Sequence, residues 1–462
     1  MSAGLAAAVV ELRAVFPASR LVVDDAEKLE AYGRDESELG TFPPDVVVLV
    51  ESAKDVQEVF AVASRHRVPV VPVAGRSGKS GGSLAVHGGI AVSTERMGRI
   101  LEVCPADLVA RVEPGVILAA FQAEVEKHGL FYPPDPNSLE LCTLGGNIAE
   151  NAGGPRALKY GVTREYVLGL TVVVPTGEVL KLGHRSIKGV CGYDLTGLFV
   201  GSEGTLGIVT EIMLKLVPRP RHVATGLVVF PSVDAAARAV NRVLGAGVIP
   251  RCLELLDDVA LAAAARTSPH RFPEDAGAAL LFETDGNDEE QVFAELVRAA
   301  DLVRAEASGD VIVAQNEAQR RDIWETRRYM SVSLKVLHPL KLSEDVAVPR
   351  SKIPEMVARS KEIGARHRLA VATYGHAGDG NLHCNVLFDT PADRPRADAV
   401  VAEILRMAVD LGGTITGEHG VGLAKRDFLE YEQGGAVVAA ERRIKALFDP
   451  LGILNPGKIF PE

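Results

Sequence analysis

The chain has 462 residues, of which 47% are hydrophobic and 24% charged, a length that predicts two or three domains and a composition typical of globular proteins. The formal net charge of −11 argues against nucleic-acid binding and against a polybasic membrane anchor, because both need a basic surface. The five cysteines are odd in number and form no CxxC pair, which predicts reduced thiols and no iron–sulfur site in this chain.

The first residues are apolar, but the stretch is short and Glu11 and Arg13 interrupt it. Because a basic leading region is missing, we predict a helix here and not a signal peptide. No uninterrupted apolar stretch is long enough to span a bilayer. The expected location is cytoplasmic, with peripheral attachment to the inner membrane through a partner protein as an alternative.

The spacing of apolar residues predicts two regions with different strand arrangements. In the first region, up to residue 220, the predicted elements are strands at 46–50, 69–73 and 207–220, a helix at 54–66 capped by Ser52, and a hairpin at 170–182. In the second region they are strands at 223–232 and 278–286 and helices at 233–245 and 288–307. The second region favours an antiparallel sheet with helices on one side, so the predicted fold class is α+β.

Two glycine-rich segments indicate backbone that lies close to a ligand. The first, GRSGKSGGS at 75–83, lacks a P-loop because Val73 stands where that motif needs glycine. A Rossmann fingerprint is also missing, since no GxGxxG lies between a strand and a helix. A flexible surface loop would explain one such segment. It does not explain the second, CTLGGNIAENAGGPRALKYG at 142–161, whose glycines let backbone N–H groups approach a pyrophosphate.

Five segments then occur in order along the chain: PVAGRSGKSGGS, YPPDPNS, TLGGNIAENAGG, GSEGTLGIVTE and LNPGK. Together they resemble the vanillyl-alcohol-oxidase-type FAD-linked oxidoreductases, in the branch of the D-lactate dehydrogenases, glycolate oxidase flavin subunits and D-2-hydroxyglutarate dehydrogenases. The resemblance covers nearly the whole chain. The residues that it implies at the FAD are Gly75, Ser77, Gly78, Pro134, Asp135, Thr143, Gly145, Gly146, Asn147, Asn151, Gly153, Gly161, Ile208 and Asn455.

The first glycine segment departs from the family pattern, because Arg76 and Lys79 stand where relatives have glycine and small residues. Some relatives attach the flavin covalently through a histidine in this loop. No histidine lies between Pro72 and Val86, so we predict a non-covalent FAD.

A histidine-rich hairpin, YGHAGDGNLHCNVLF at 374–388, contains two candidate metal ligands. With Asp379 and Gly380 as a two-residue turn, His376 is predicted to oppose His383. Directly opposed residues have Cβ atoms roughly 4.5–5.5 Å apart, so the two imidazoles could bind one metal ion. Strand alternation predicts Asn385 on the face of His383, with Cys384, Val386 and Phe388 facing a core. The alternative is a pair of structural histidines beside a turn.

The segment TGEHGVG at 416–422 is the expected source of the third ligand. In the dehydrogenases that the chain resembles, this glutamate binds the metal and the adjacent histidine is the base, which implies Glu418 as ligand and His419 as base. Zinc, manganese and iron are the candidate metals. The alternative is that Glu418 caps a helix beginning at Val421.

Candidate substrate-binding residues complete the predicted site. A guanidinium suits a carboxylate because it binds both oxygens, and the resemblance selects Arg327, three residues after Trp324. Lys341 is a candidate second cation, and Asn385 is included with the catalytic candidates. The spacing from Lys341 to Pro349 differs from that of dicarboxylate-specific relatives, which favours a small acid.

The resemblance therefore implies an FAD- and metal-dependent dehydrogenase that oxidises a D-2-hydroxy acid, with D-lactate or glycolate favoured, by hydride transfer to flavin N5. The expected domains are a two-subdomain FAD-binding domain of PCMH type at 1–220, a cap domain with an antiparallel sheet, helices and the metal site at 221–420, and a C-terminal segment at 421–462 that returns to the FAD. The expected electron acceptor is a quinone, an iron–sulfur subunit, an electron-transferring flavoprotein or a cytochrome. The alternatives are a D-2-hydroxyglutarate dehydrogenase, a flavin-carrying electron-transfer subunit and a metal hydrolase.

Overall fold

The structure, a computed structural model, describes residues 3–268 and 272–461. Its first layer is a four-stranded sheet of order β1-β2-β4-β3, in which β2, β4 and β3 are parallel. The elements of this part are α1 (Ala3–Val15), β1 (Leu21–Val22), α2 (Ala26–Tyr32), β2 (Val46–Leu49), α3 (Ala53–His66), β3 (Val70–Val73) and β4 (Ile90–Ser93).

Continuous apolar runs form the inner strands of this sheet, because both of its faces are buried. The predicted cap of α3 is confirmed: the Ser52 hydroxyl accepts a hydrogen bond from the Asp55 N–H. Helices α1 and α3 pack together against one face, and β3 ends two residues before the first glycine segment.

The second layer is a five-stranded antiparallel sheet of order β5-β6-β10-β8-β9. In β10, every second side chain is buried, as expected for a strand with one face on a core. The elements of this part are β5 (Ile100–Cys104), β6 (Val109–Val112), α4 (Leu118–Glu126), β7 (Leu130–Phe131), α5 (Leu144–Glu150), α6 (Ala157–Tyr160), β8 (Val167–Val173), β9 (Val179–Gly183), α7 (Leu195–Phe199), β10 (Ile208–Lys215) and β11 (Val217–Pro218).

The remaining elements build a seven-stranded antiparallel sheet of order β15-β12-β14-β13-β17-β18-β16 and the helices around it. They are β12 (His222–Phe230), α8 (Val233–Gly245), β13 (Cys252–Asp257), α9 (Asp258–Thr267), β14 (Ala278–Gly286), α10 (Glu289–Arg304), β15 (Ile312–Val313), α11 (Glu317–Arg328), α12 (Met330–Ser333), β16 (Leu340–Ala347), α13 (Ile353–Arg366), β17 (Ala370–His376), β18 (Asn381–Phe388), α14 (Arg394–Asp410), α15 (Leu429–Gln433) and α16 (Gly435–Phe448). Short 3₁₀ turns lie at Ala18–Arg20, Thr163–Tyr166, Leu334–Val336, Arg350–Lys352, Pro391–Asp393 and Arg426–Phe428.

Helices cover both faces of the seven-stranded sheet, and the prediction of helices on one side is therefore wrong. Leu280 and Phe282 of β14 pack in the core beneath α8, α10, α13 and α14. Ala279 and Leu281, on the other face, pack against α9, α11 and α12. The run AALLF reads as continuously apolar for this reason, since both faces of β14 are buried.

The C-terminal residues return to the first sheet. Leu454 bridges Val70 of β3, and Asn455 donates from its side chain to the backbone oxygens of Gly82 (3.0 Å) and Glu203 (2.9 Å). The α+β class, with its antiparallel sheets and returning tail, is confirmed. Across the two described ranges, no helix is both long and apolar enough to cross a membrane.

Candidate functional site

A cavity of about 680 Å³ lies where the two glycine segments approach the seven-stranded sheet, a volume typical of ligand sites. One wall carries backbone from residues 72–79 and 141–147, and another carries side chains from the histidine hairpin and the 417–422 segment. Residues that the sequence separates by more than 300 positions thus share one space.

Glycine is needed in both segments because neighbouring backbone passes close by. A Cβ on Gly75 would lie 2.6 Å from the carbonyl oxygen of Leu141, and one on Gly145 would lie 2.6 Å from the Pro114 side chain. The two segments pack against each other and leave bare backbone at the cavity wall, an arrangement suited to phosphate oxygens.

Nine of the predicted FAD residues line the cavity, namely Gly75, Ser77, Gly78, Asp135, Thr143, Gly145, Gly146, Asn147 and Ile208. The buried Asn147 Nδ2 and Asp135 Oδ1 have no hydrogen-bond partner within the described ranges, so polar atoms are available to a ligand. These observations fit an FAD, although the individual contacts remain predictions.

The other five predicted FAD residues lie behind the wall. Pro134 and Asn151 accept hydrogen bonds from Gln122 and the Arg164 N–H, and Gly161 ends α6 at φ +78°. Gly153 contacts Glu418, and Asn455 ties the tail to the loops. These five residues support the cavity wall from behind. The sequence pattern could not distinguish residues that support the wall from residues that line the cavity.

Several lining residues were missed, among them Glu36, Glu150, Ser202 and Glu203. Glu203 has φ +51°, which is rare for a residue with a side chain. Its carboxylate accepts hydrogen bonds from the N–H groups of Val421 (2.7 Å) and Gly422 (2.6 Å). The segment GSEG was the available signal, because its glycines and serine are residues that favour turns.

The candidate metal centre consists of His376, His383 and Glu418, whose ligand atoms lie within 4.8 Å of one another. Oε1 of Glu418 is 3.9 Å from Nε2 of His376 and 3.6 Å from Nε2 of His383.

The predicted register of the hairpin is wrong: His376 pairs with Asn381, and Tyr374 pairs with His383. The loop has four residues, 377–380, closed by the Gly380 N–H donating to the His376 carbonyl oxygen. The two histidines are therefore diagonal neighbours, still within reach of one ion.

The residues fit a divalent cation. Oε2 of Glu418 is buried and has no hydrogen-bond partner in the described part of the chain. Burial raises the pKa of Glu418, but the hydrogen bond and charge of His376, with smaller contributions from its neighbours, outweigh burial and bring its pKa to about 2. Burial lowers the pKa of His383 well below its usual value, which favours the neutral, metal-binding imidazole. No helix begins at Val421, so Glu418 is not a helix cap.

Beside this cluster, Asp345 of β16 holds the 417–419 backbone. Its Oδ2 accepts from the N–H groups of Gly417 and Glu418, both at 2.6 Å, and its Oδ1 lies 3.3 Å from Nδ1 of His419. Lys425 donates to the same carboxylate at 2.5 Å. The His419 ring, stacked on His383, therefore has Nε2 available on the cavity side, 3.9 Å from Glu418.

Arg327 lies on the cavity wall with its Nε bonded to Glu254 Oε2 at 2.6 Å. Lys341 and Asn385 lie one layer behind the wall: the lysine donates to Ser331 Oγ, which borders the cavity, and to Asn385 Oδ1. Burial brings the pKa of Lys341 down to about 8. Cys384, Val386 and Phe388 of the hairpin face a core as predicted.

Comparisons of the sequence with known proteins agree with this geometry. Residues 44–183 match the family described as "FAD binding domain", and residues 219–459 match "FAD linked oxidases, C-terminal domain". The chain is 42% identical to the glycolate oxidase subunit GlcD of Bacillus subtilis, over 91% of this chain and 89% of that protein. It is 35% identical to a D-lactate dehydrogenase of Anaerostipes hadrus (95% and 94% covered) and 34% identical to a D-2-hydroxyglutarate dehydrogenase of Stutzerimonas stutzeri (95% and 96% covered).

Solved structures share the fold at lower identity. The TM-score is 0.81 to p-cresol methylhydroxylase (17% identical, 99% of this chain and 97% of that chain covered) and 0.80 to 4-ethylphenol oxidase of Gulosibacter chungangensis (19% identical, 100% and 98% covered). With both family segments in place and relatives aligned over most of their length, the chain belongs to the FAD-linked oxidases and is an FAD-linked oxidoreductase.

Proposed function

We propose that the protein is an FAD- and metal-dependent dehydrogenase of D-2-hydroxy acids, with D-lactate or glycolate as the favoured substrate. One observation carries the proposal: the cluster of His376, His383 and Glu418 shares a cavity with the guanidinium of Arg327 and the two glycine segments. A flavin-carrying subunit or a metal hydrolase would not need this combination. The names of the similar proteins, which refer to glycolate, D-lactate and D-2-hydroxyglutarate, support the substrate class.

The roles follow from the chemistry of a hydroxy acid, which must lose a hydroxyl proton and a Cα hydride. When bound, a cation would act as a Lewis acid on the hydroxyl oxygen and FAD would accept the hydride. Arg327 would hold the substrate carboxylate with its free Nη groups, since Nε is occupied by Glu254. His419 would take the hydroxyl proton at Nε2, because its Nδ1 faces Asp345.

The same proposal gives each of the three expected domains a role. Residues 1–220 would bind the FAD, residues 221–420 would carry the substrate and metal groups, and residues 421–462 would close the FAD site. The absence of a histidine at 72–86 supports a non-covalent flavin.

A substrate with a second carboxylate, such as D-2-hydroxyglutarate, is a second candidate. The ammonium of Lys341 is buried and bonded to the neutral side chains of Ser331 and Asn385. No ion pair with a carboxylate is found for it in the described ranges. A buried cation without an anionic partner is costly, and a substrate carboxylate near Ser331 would compensate.

Anaerobic flavin reduction by a panel of acids tests the proposal. D-lactate, glycolate, D-2-hydroxyglutarate and L-lactate are mixed separately with the purified protein, and loss of the flavin's visible absorption band is followed. D-lactate or glycolate should bleach the flavin fastest and L-lactate should not bleach it. Bleaching by none of the acids contradicts the function, and a preference for D-2-hydroxyglutarate selects the second candidate.

The metal requirement is tested separately. His383→Ala should lose the metal and most turnover but keep its FAD, because the glycine segments lie on other elements. Metal content by mass spectrometry and flavin content by absorbance are measured on the same sample. Full activity in both the chelated wild type and the variant would show that the cluster is structural.

A further inference from the structure

Glu254 is a buried glutamate of β13 that no sequence motif marks. It is 0% exposed and pairs in register with His376 of β17. Its Oε1 lies 2.6 Å from Nδ1 of His376, and its Oε2 accepts from Nε of Arg327 at 2.6 Å. One carboxylate therefore contacts a candidate metal ligand and the candidate carboxylate-binding group at once.

Each contact with Glu254 determines which nitrogens of His376 and of Arg327 remain for other partners. Because Nδ1–H of His376 donates to Glu254, the Nε2 lone pair is left for the side facing Glu418. Because Nε of Arg327 donates to Glu254, the two Nη groups remain for a ligand in the cavity. The guanidinium also lies 4.8 Å from the centre of the Tyr374 ring, which limits its rotation.

We infer that Glu254 is a positioning residue that fixes the metal-binding tautomer of His376 and the orientation of Arg327 together. The inference rests on the proposed function, since it concerns the same cavity. This role requires two hydrogen-bond acceptor oxygens at position 254. A carboxylate has two, and an amide has only one.

The substitution Glu254→Gln separates the two contacts. Glutamine keeps the shape but has one acceptor and one NH₂ donor. Arg327 can only donate, so the amide oxygen must face its Nε. The NH₂ group then faces Nδ1 of His376, and the imidazole can accept only by moving its proton to Nε2, where metal binding needs the lone pair. E254Q should therefore lose metal affinity and keep affinity for a carboxylate.

Zinc and pyruvate are the probes, measured on FAD-loaded protein stripped with a chelator. The zinc affinity of E254Q, by competition with a chromophoric chelator, should fall about 10–100-fold. Pyruvate binding to the metal-free protein, read from the flavin spectrum, should change less than about threefold. Adding E254Q to His376→Ala should cause little further loss of zinc affinity, because Glu254 acts through that histidine.

Asp257→Asn is the matched control. Asp257 is also buried on β13, but it accepts from the N–H groups of Ala260 and Thr373 and its ion-pair partner is Lys361. D257N should keep the wild-type zinc affinity. A wild-type zinc affinity in E254Q, or an equal loss of zinc and pyruvate binding, would overturn the inference.

A second variant covers the case in which E254Q does not fold. The side chain of Glu254→Asp is one methylene too short to reach both donors, so zinc affinity, pyruvate affinity or both should fall. Wild-type values for both would also overturn the inference. These outcomes for the Glu254 variants can be distinguished from failure of the proposed function. In that case the wild-type protein would bind no zinc, and none of the acids would reduce its flavin.

Discussion

Two of the imidazoles at the cavity are each held by a carboxylate from another strand: Glu254 for His376 and Asp345 for His419. Burial by itself raises the pKa of a carboxyl group. Here the nearby positive groups outweigh burial, so the pKa of Glu254 is about 2 and that of Asp345 is well below its usual range. Both remain anions at neutral pH and can orient their partners.

At this scale we predict the effect of His419→Ala. Flavin reduction by D-lactate should slow by about 10²–10⁴-fold, the usual contribution of a general base. The affinity for D-lactate should change little, because Arg327 still holds the carboxylate. Anaerobic stopped-flow over a range of D-lactate concentrations gives both quantities.

Two further variants interpret that result. Arg327→Ala should weaken D-lactate binding as well as slow reduction. His367→Ala, whose imidazole bonds to Glu403 outside the cavity, should reduce its flavin at the wild-type rate. If His419→Ala also reduces at the wild-type rate, the base is a different residue.

At the scale of elements, the loop between β17 and β18 sets the position of both hairpin histidines. Gly380 has φ +91°, and a Cβ there would lie 2.1 Å from the carbonyl oxygen of Val348. The Val348 N–H donates to the Gly380 carbonyl oxygen at 3.1 Å, which holds the loop against the end of β16, the strand that carries Asp345. The turn thus depends on glycine for both conformation and space.

We predict that Gly380→Ala is more damaging than Gly177→Ala, its matched control. Gly177 has φ +90° in the β8–β9 turn, but a Cβ there would meet nothing within 4 Å. Gly177→Ala should cost about 1–2 kcal/mol of unfolding free energy from backbone strain alone. Gly380→Ala should add a further ~1–3 kcal/mol from overlap with Val348.

Urea denaturation followed by circular dichroism compares the two glycine variants, and zinc content measures the effect on the hairpin. Only Gly380→Ala should lose zinc. Equal destabilisation of the two variants would show that the loop moves freely away from Val348.

At the scale of the molecule, two acidic side chains join the cofactor-side loops to the 417–422 segment. Oε2 of Glu150 and Oε1 of Glu203 flank Gly420, where a Cβ would lie 2.2 and 3.0 Å from them. Burial raises the pKa of Glu203 to about 7, in spite of the N–H groups of Val421 and Gly422. Burial and the charge of Glu203 raise the pKa of Glu150 well above its usual value. The charged groups around the pair are Asp35, Asp345, Lys425 and Lys458.

A raised carboxyl pKa gives a definite sign to the pH dependence. The folded state binds the proton more tightly than the unfolded state, whose glutamates titrate near 4.5. The stabilisation is therefore complete below pH 4.5 and is lost as the pH rises through about 7. Glu150→Gln removes one of the two acids, so its stability relative to wild type should increase between pH 5 and pH 8, by about 1–3 kcal/mol.

Melting temperatures of the FAD-loaded proteins across that pH range measure the difference. Glu362→Gln, an exposed position on α13, is the control and should show a difference that does not vary with pH. A pH-independent difference for Glu150→Gln would contradict shared protonation of the acid pair.

The sequence by itself determined the local elements and the residue types of the site. Helix α8 and strand β14 have the predicted bounds, because their apolar spacing and capping residues act within a few neighbours. The sequence also predicted that the two glycine segments, the two histidines and Glu418 belong to one site, the segments and histidines from their motifs and Glu418 from the family resemblance. The family followed from the order of these motifs, and the α+β class followed from the antiparallel sheet predicted for the second region.

Only the tertiary structure decided which carboxylates serve the site and how the hairpin is aligned. Glu254 and Asp345 stand in ordinary strand sequence, and their partners are 73 and 74 positions away. The four-residue loop that shifts the hairpin depends on contact with Val348, the residue that follows β16. Local propensity contains no information on such pairs, because burial and long-range packing, not neighbouring residues, bring the charges together.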